Sequence, residues 1–382
     1  MRILLATPNP LLAELGASKV VLELSAAIRA VGFKADVIGP EELGMSGPPN
    51  LRWGQTYARR LAEFVRKSGD GYDVYDYDHV YPPFPRSEFS ANALMVARSV
   101  LLMHHIQRIV PPTPRTARAW IGAALRSPRR RRELQTYVDM ADRCIAQADL
   151  VNVSNDQDKT ELTRRGVPPD KIVVLPFGIS QQRRCQLERQ CLESPPPDAI
   201  VAFVGTFDYR KGAADFPRLV RGVLDQVPQA RFRLLGTRAM FQTARQVLAH
   251  FPRDARRHVE VVPHYPADEL PRLLADCAVG VFPSYYEGFP FGVLEMLAAA
   301  IPVIAYDAPG PPMMLPADYL VRPGDVAAMS RKTAELLKDR QKLLEARRRA
   351  RQLSRPFDWG DIAHRTAQIY GDALATRRQG VR

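Results

Sequence analysis

The stretch from residue 278 to residue 306 constrains the fold of this chain more than any other. An apolar run of strand length occupies 278–284, a glycine-bearing turn follows at 285–290, and residues 296–300 are mostly good helix formers. A second strand-like run at 301–306 completes the order strand, turn, helix, strand, which is a βαβ unit. Ligands of such units sit at the carboxyl ends of the strands, beside the helix N-terminus. The amides of Phe291, Gly292 and Val293 are expected to be unpaired there and to favour an anion such as a phosphate. Pro290 has no N–H, so its neighbours must build that cradle. The turn also carries two carboxylates eight positions apart, Glu287 and Glu295. Glu295, expected in the first helical turn, can accept hydrogen bonds from neutral sugar hydroxyls beside the phosphate. Two glutamates at this spacing are common, and the βα turn around them supplies the specificity.

The same alternation runs along the whole chain. Residues 2–6 read as a first strand, and a helix over about 17–31 places Val20, Val21, Leu24 and Ile28 on one apolar face. Gly32 closes that helix, and 34–39 is the next strand. Further strand-like runs lie at 72–77, at 94–102 (followed by Met103, His104 and His105), at 149–154 and at 171–179. Residues 181–198 are polar and proline-rich, with linker composition. The pattern restarts at 199–205, with strands at 231–236 and 259–263 and a last helix to about residue 374. A chain of 382 residues suits two domains of ordinary size. The prediction is an α/β protein with two Rossmann-like, doubly wound domains facing a cleft. Its parts are 1–180, a linker at 181–198, a second domain at 199–356, and a C-terminal segment at 357–382.

Composition narrows the function classes. Hydrophobic content of 46% and charged content of 25% are those of a soluble globular protein. No apolar run approaches the roughly 18–20 residues that span a bilayer. The apolar part of the first eight residues is too short for a signal peptide. Cys144, Cys185, Cys191 and Cys277 form no C-x-x-C pair and have no histidine at zinc-ligand spacing, as expected of reduced cytosolic thiols. The net charge of +13 gathers at Arg126 and 129–132, and again at 347–349 and Arg351. Such clusters attract anionic headgroups or acidic polymers, or are solvated helix faces. The expected location is cytoplasmic, with the first cluster a candidate for peripheral contact with an anionic membrane. No nucleic-acid module or aromatic-interleaved basic stretch is visible, so nucleic acid is not an expected partner.

The turn region resembles the E-x7-E signature of the retaining glycosyltransferases of family 4, in the form P-S-x-x-E-G-F-x-x-x-x-x-E. Pro283, Ser284, Glu287, Gly288, Phe289 and Glu295 match, and Pro290 stands where the family usually has glycine. The resemblance implies a GT-B fold whose C-terminal half holds most of a nucleotide-sugar donor, and a terminal helix that returns to the N-terminal domain. It implies sugar transfer with retention to an acceptor hydroxyl, without metal or cofactor, as in glycan, glycolipid or glycosylated metabolite synthesis. The acceptor, whether a sugar, a lipid-linked group or a small molecule, is left open, as are the sugar and the base.

Individual residues follow from the same resemblance. The family pattern G-R-x-x-x-x-K-G falls on Gly205, Thr206, Lys211 and Gly212, so Thr206 replaces the arginine while Arg210 directly precedes the lysine. A fixed cation at Lys211, with Arg210 as the second charge, would stabilise a departing diphosphate; the plain alternative is a solvated loop lysine. Glu295 would hold the ribose, and Phe289, Phe291, Gly292 and Val293 would line the donor site. Glu287 would orient Lys211, bind sugar hydroxyls or stabilise charge at the anomeric carbon, but not act as a nucleophile. Val262 and Pro263, with His264, would read the base through backbone groups. Gly16 takes the place of the glycine-rich loop after the first strand, with Leu15 in place of its other glycine, and Phe177 replaces the usual asparagine. One of His104 and His105 would face the sugar or acceptor, and in a strand the two point to opposite faces; a structural histidine is the competing expectation for each.

A rival signal is Asp76-Tyr77-Asp78, because alternate aspartates at a strand end can hold a divalent ion on a diphosphate, as in GT-A enzymes. That assignment leaves the second nucleotide-domain pattern unexplained, so no metal site is expected. Two other functions share the two-domain pattern: a nucleotide-sugar epimerase and a non-catalytic nucleotide-sugar-binding protein. Closure about 181–198 would exclude water from the donor.

Overall fold

The computed structural model describes all residues except 13–15, 48–49, 69–70, 82–84, 109–116, 190–194 and 381–382. They form two compact units, one of Met1–Phe177 with Trp359–Arg382 and one of Gly178–Asp358.

Unit 1 is built on β1 (Arg2–Ala6), β2 (Lys34–Ile38), β3 (Val74–Asp78), β4 (Leu94–Arg98), β5 (Leu150–Val153) and β6 (Ile172–Val174). These pair in parallel in the order β2-β1-β3-β4-β5-β6. The direction of winding reverses between β1 and β3, and Gly16 opens the helix Gly16–Ala30 that follows β1. The helix Trp359–Gly380 belongs to this unit. Its Tyr370 hydroxyl donates to Asp76 Oδ2 at 2.7 Å and accepts from Asn152 Nδ2 at 3.1 Å. Arg98 Nε donates to Asp76 Oδ1 at 2.7 Å, so both oxygens of Asp76 are engaged in the interior. Asp78 Oδ1 accepts the Val80 amide, and burial pushes its carboxyl up to about 6. Asp76 is thus a component of a buried network that ties the terminal helix to the sheet, while Asp78 anchors the turn that leaves β3. Among the described residues no group of three or more His, Cys, Asp or Glu side chains is arranged to hold a metal ion.

Unit 2 is built on β7 (Ile200–Val204), β8 (Arg231–Leu235), β9 (Val259–Val262), β10 (Val279–Phe282), β11 (Val303–Tyr306) and β12 (Leu320–Val321). All pair in parallel, in the order β12-β11-β10-β7-β8-β9. β7, β10 and β11 are buried along their whole length, which is why they read as continuous apolar runs rather than alternating ones. The topological switch point lies between β7 and β10, and the loops leaving their carboxyl ends begin at Gly205 and Pro283.

Four expectations are corrected. The strand expected over 94–102 stops at Arg98, and His104 and His105 lie instead on the short helix Met103–Arg108. The segment expected as a linker contains the helix Gln181–Arg189, and the units meet at Phe177/Gly178 and Asp358/Trp359. Its polar composition conceals a buried face: Arg184 lies inside unit 2, donating to the Ser354 and Phe357 carbonyls. Arg347, grouped by composition with solvated arginines, is also buried and donates to the Cys277 carbonyl. Finally, the helix after the E-x7-E turn starts at Phe291, which puts Glu295 in its second turn rather than its first.

Among the described residues no helix is long and apolar enough to cross a membrane. Cys144, Cys185 and Cys277 are free thiols, and Cys191 lies outside the described residues. In the first basic cluster, Arg131 and Arg132 are exposed on the helix Ala117–Gln147. The side chains of Arg126, Arg129 and Arg130 lie outside the described residues, as does Leu15.

Candidate active site

The loop after β7 is organised by Asp208. Its Oδ1 accepts the Lys211 amide at 3.0 Å, its Oδ2 accepts the Thr206 hydroxyl at 2.7 Å, and its carbonyl accepts the Ala213 amide. This compact turn carries Arg210 and Lys211 toward the loop after β10. The two loops touch at Gly212, which has φ +80° and whose Cβ, if it had one, would stand 2.3 Å from the Pro283 carbonyl oxygen. Only glycine fits that approach. The contact continues as the Tyr285 amide donates to the Arg210 carbonyl at 2.8 Å.

Three groups converge on one oxygen of Glu287. Arg210 Nη1 lies 2.8 Å, Lys211 Nζ 2.9 Å and the Ser284 hydroxyl 2.6 Å from Oε1. Arg210 Nη1 also donates to the Tyr286 carbonyl at 2.9 Å. Burial would raise the Glu287 carboxyl, but Arg210 and Lys211 outweigh it and hold the group down to about 2. Burial lowers the Lys211 ammonium, and Glu287 opposes that shift. The cluster is therefore two cations sharing the Glu287 carboxylate at the switch point, with the Asp208 carboxylate of the same loop also acting on both. Arg210, adjacent to Lys211 in sequence, reaches the same acceptor because the turn around Asp208 is too tight for the two side chains to diverge as they would along a strand.

Glu295 is buried on the helix Phe291–Ala298 and pairs with Arg183, whose Nη2 is 3.3 Å from Oε1. The start of that helix presses on β7: a Cβ on Gly292 would stand 2.2 Å from the Val204 carbonyl oxygen. Of the three amides expected to be unpaired, two are not. The Phe291 amide bonds the Phe289 carbonyl at 3.0 Å and the Val293 amide bonds the Pro290 carbonyl at 2.9 Å. The kinked entry at Pro290, φ −83° and ψ 78°, folds the chain back onto its own first turn and supplies those acceptors. Phe289 packs edge-on against Phe291 and Phe357, so its ring serves the packing of this turn. At the end of β9 the Val262 carbonyl accepts the Gly236 amide at 2.9 Å and the Pro263 carbonyl the Arg238 amide at 3.0 Å, which extends the β8–β9 ladder into the region expected to read a base.

The histidines are placed differently. Both rings are buried in unit 1, His104 Nε2 lying 2.7 Å from Asp142 Oδ1 and His105 Nε2 3.0 Å from Asp158 Oδ1. Burial lowers the His104 imidazole against the pull of Asp142, which favours the neutral ring. Their geometry is that of interior, carboxylate-oriented side chains.

Asp208, Ser284 as a donor to Glu287, and Arg183 carry no signal strong enough to find them from sequence. Ser284 lay within the matched motif without a role, and Arg183 lay in the segment that reads as a linker.

With this geometry in hand, the architecture is that of the GT-B glycosyltransferases: two parallel six-stranded sheets, each wound with helices. Sucrose-phosphate synthase from Thermosynechococcus elongatus superposes with a TM-score of 0.74 at 20% identity, covering 98% of this chain and 99% of that one. HepE from Anabaena, solved with UDP-glucose, gives 0.65 at 16% identity, covering 97% and 100%. Residues 186–353 match the family model described as "Glycosyl transferases group 1". The D-inositol 3-phosphate glycosyltransferase of Corynebacterium efficiens is 25% identical over 250 residues, 61% of this chain and 58% of that protein. The MMP alpha-(1->4)-mannosyltransferase of Mycolicibacterium hassiacum is 28% identical over 256 residues, 63% and 58%. The chain thus spans a little over half the length of these relatives.

Proposed function

We propose that this chain is a glycosyltransferase that takes a sugar from a nucleoside-diphosphate donor bound by unit 2 and transfers it to an acceptor hydroxyl. The observation that carries this reading is the convergence of Arg210 and Lys211 on Glu287 at the switch point of the unit 2 sheet. When the bond between the anomeric carbon and the diphosphate breaks, negative charge grows on the leaving oxygen. Two preorganised cations in a largely buried site stabilise that charge without reorganising, and such groups are typically worth a few kcal/mol each. Arg210 would supply the charge that Thr206 cannot. Glu287 would hold both cations in place and keep them from binding anions indiscriminately. Glu295 would accept the ribose hydroxyls, and the base would meet the chain beyond the β9 end, at His264. Retention follows from the E-x7-E resemblance.

The reading needs no divalent ion, because Arg210 and Lys211 meet the developing charge. UDP-glucose is the first donor to try, since HepE was solved with it. The acceptor would be a sugar, a lipid-linked group or a small molecule, and the exposed Arg131 and Arg132 favour one presented at an anionic surface. The test is a thermal-shift panel of UDP-, GDP-, ADP- and TDP-sugars, then product analysis with the donor that binds, in excess EDTA. Native-state binding raises the melting temperature by mass action. Transfer or slow hydrolysis that survives EDTA supports the proposal. An interconverted sugar with no transfer would make the protein an epimerase, binding without turnover would make it a sensor, and loss of activity restored by magnesium would refute the cation mechanism.

A further inference from the structure

Glu295 does not stand alone. It is surrounded on its own helix by apolar and small residues, and a buried carboxylate there is costly unless a cation pairs with it. That cation comes from the helix Gln181–Arg189. Arg183 Nη1 donates to the Ala267 carbonyl, its Nη2 reaches Glu295 Oε1 at 3.3 Å, and the side chains of Arg183 and Glu295 are only 11% and 10% exposed. The carrying helix is itself fixed, because Arg184 Nη1 donates to the Ser354 carbonyl and hydroxyl, both at 3.1 Å, and Nη2 to the Phe357 carbonyl at 3.2 Å. Arg183 is thus clamped at one nitrogen by a backbone carbonyl and presents the other to the carboxylate.

We infer that Arg183 is a positioning residue for the donor: by fixing the orientation of the Glu295 carboxylate, it makes unit 2 selective for a ribose bearing free 2′- and 3′-hydroxyls. This rests on Glu295 as the ribose acceptor. An ionised carboxylate offers about four lone-pair sites, so pairing with Arg183 is compatible with accepting from two hydroxyl donors. Without Arg183 the carboxylate would be free to swing out of the position in which it meets the ribose hydroxyls. Arg183 itself need not touch the nucleotide.

The experiment measures dissociation constants by calorimetry for UDP and 2′,3′-dideoxy-UDP, or for the GDP or ADP pair if the thermal-shift panel selects that base. The proteins are the wild type, Arg183→Ala, Arg183→Lys, Glu295→Gln and the double variant Arg183→Ala/Glu295→Gln, each checked for a native melting transition. Arg183→Ala is expected to weaken the ribonucleotide roughly tenfold or more, the size of one hydrogen bond to a charged group, and to leave the dideoxynucleotide nearly unchanged. Arg183→Lys should recover part of the loss, and the double variant should be no weaker than Glu295→Gln. If Arg183→Ala weakens both nucleotides equally while Glu295→Gln weakens only the ribonucleotide, Arg183 is a packing residue and the inference fails. If Glu295→Gln itself does not discriminate, the ribose assignment fails first. Should Arg183→Ala not fold, Arg183→Lys decides, because a shorter reach to Glu295 must still cost the ribonucleotide more than its dideoxy analogue.

Discussion

Glu287→Gln is the substitution whose consequences the structure fixes most fully. The amide keeps the shape of the side chain and removes its charge, leaving Arg210 and Lys211 buried together. Both lie within 2.9 Å of one oxygen, so they are separated by no more than about 6 Å, and two unit charges at that distance repel by roughly 3 kcal/mol at an effective dielectric of 20. The carboxyl gives a similar figure: held at about 2 against an ordinary value near 4.5, it represents roughly 3 kcal/mol of favourable interaction with its neighbours. Removing one partner of a buried pair generally costs about 3–5 kcal/mol. The transition of unit 2 should therefore fall by roughly 6–12 °C in calorimetry at neutral pH. Inorganic pyrophosphate should restore more of the melting temperature in the variant than it adds to the wild type, because Arg210 and Lys211 then meet its charge without competition from a carboxylate. The pH dependence has a definite sign. A carboxyl depressed in the folded state stabilises above its unfolded value and loses that effect as the pH falls through its folded value, so the gap between the two proteins should close between about pH 4.5 and 2. Equal melting at neutral pH, or equal gains from pyrophosphate, would refute the shared-carboxylate cluster.

Lys211→Ala and Arg210→Ala should each lower turnover about 100-fold or more with little change in circular dichroism, and normal turnover in either folded variant would remove that cation from the mechanism. Tyr370→Phe should cost about 2–3 kcal/mol in urea unfolding, because it strips a buried hydroxyl from Asp76 and Asn152; a loss below about 0.5 kcal/mol would mean that this network does not hold the terminal helix. Sedimentation with anionic vesicles should fall steeply between low and physiological salt and fall again when Arg131 and Arg132 become glutamine, each contributing about 1 kcal/mol. Equal pelleting with neutral vesicles, or none with either kind, would leave these arginines as a solvated helix face.

The sequence alone determined the two sheets and the place of the loops that leave β7 and β10. Continuous apolar runs such as 200–204 and 279–282, of strand length and bounded by glycine or proline, read as strands buried on both faces. These are local signals, carried by a few adjacent residues, and they survive any packing. The pairing of charges is not local. That Arg210 and Lys211 share Glu287 depends on strand order, which brings the loops after β7 and β10 together although 76 residues separate Arg210 from Tyr286, whose carbonyl it also reaches. Arg183 and Arg184 read as linker charges because polarity along a chain does not reveal which side chain will be buried; only the docking of their helix against Glu295 and Ser354 decides it. The orientations of His104, His105 and Asp76 arise in the same way. Each residue type permits ligand binding, and each was instead turned inward by a carboxylate, an arginine or a tyrosine from a distant part of the chain, because a buried polar group must find a partner wherever the tertiary fold provides one.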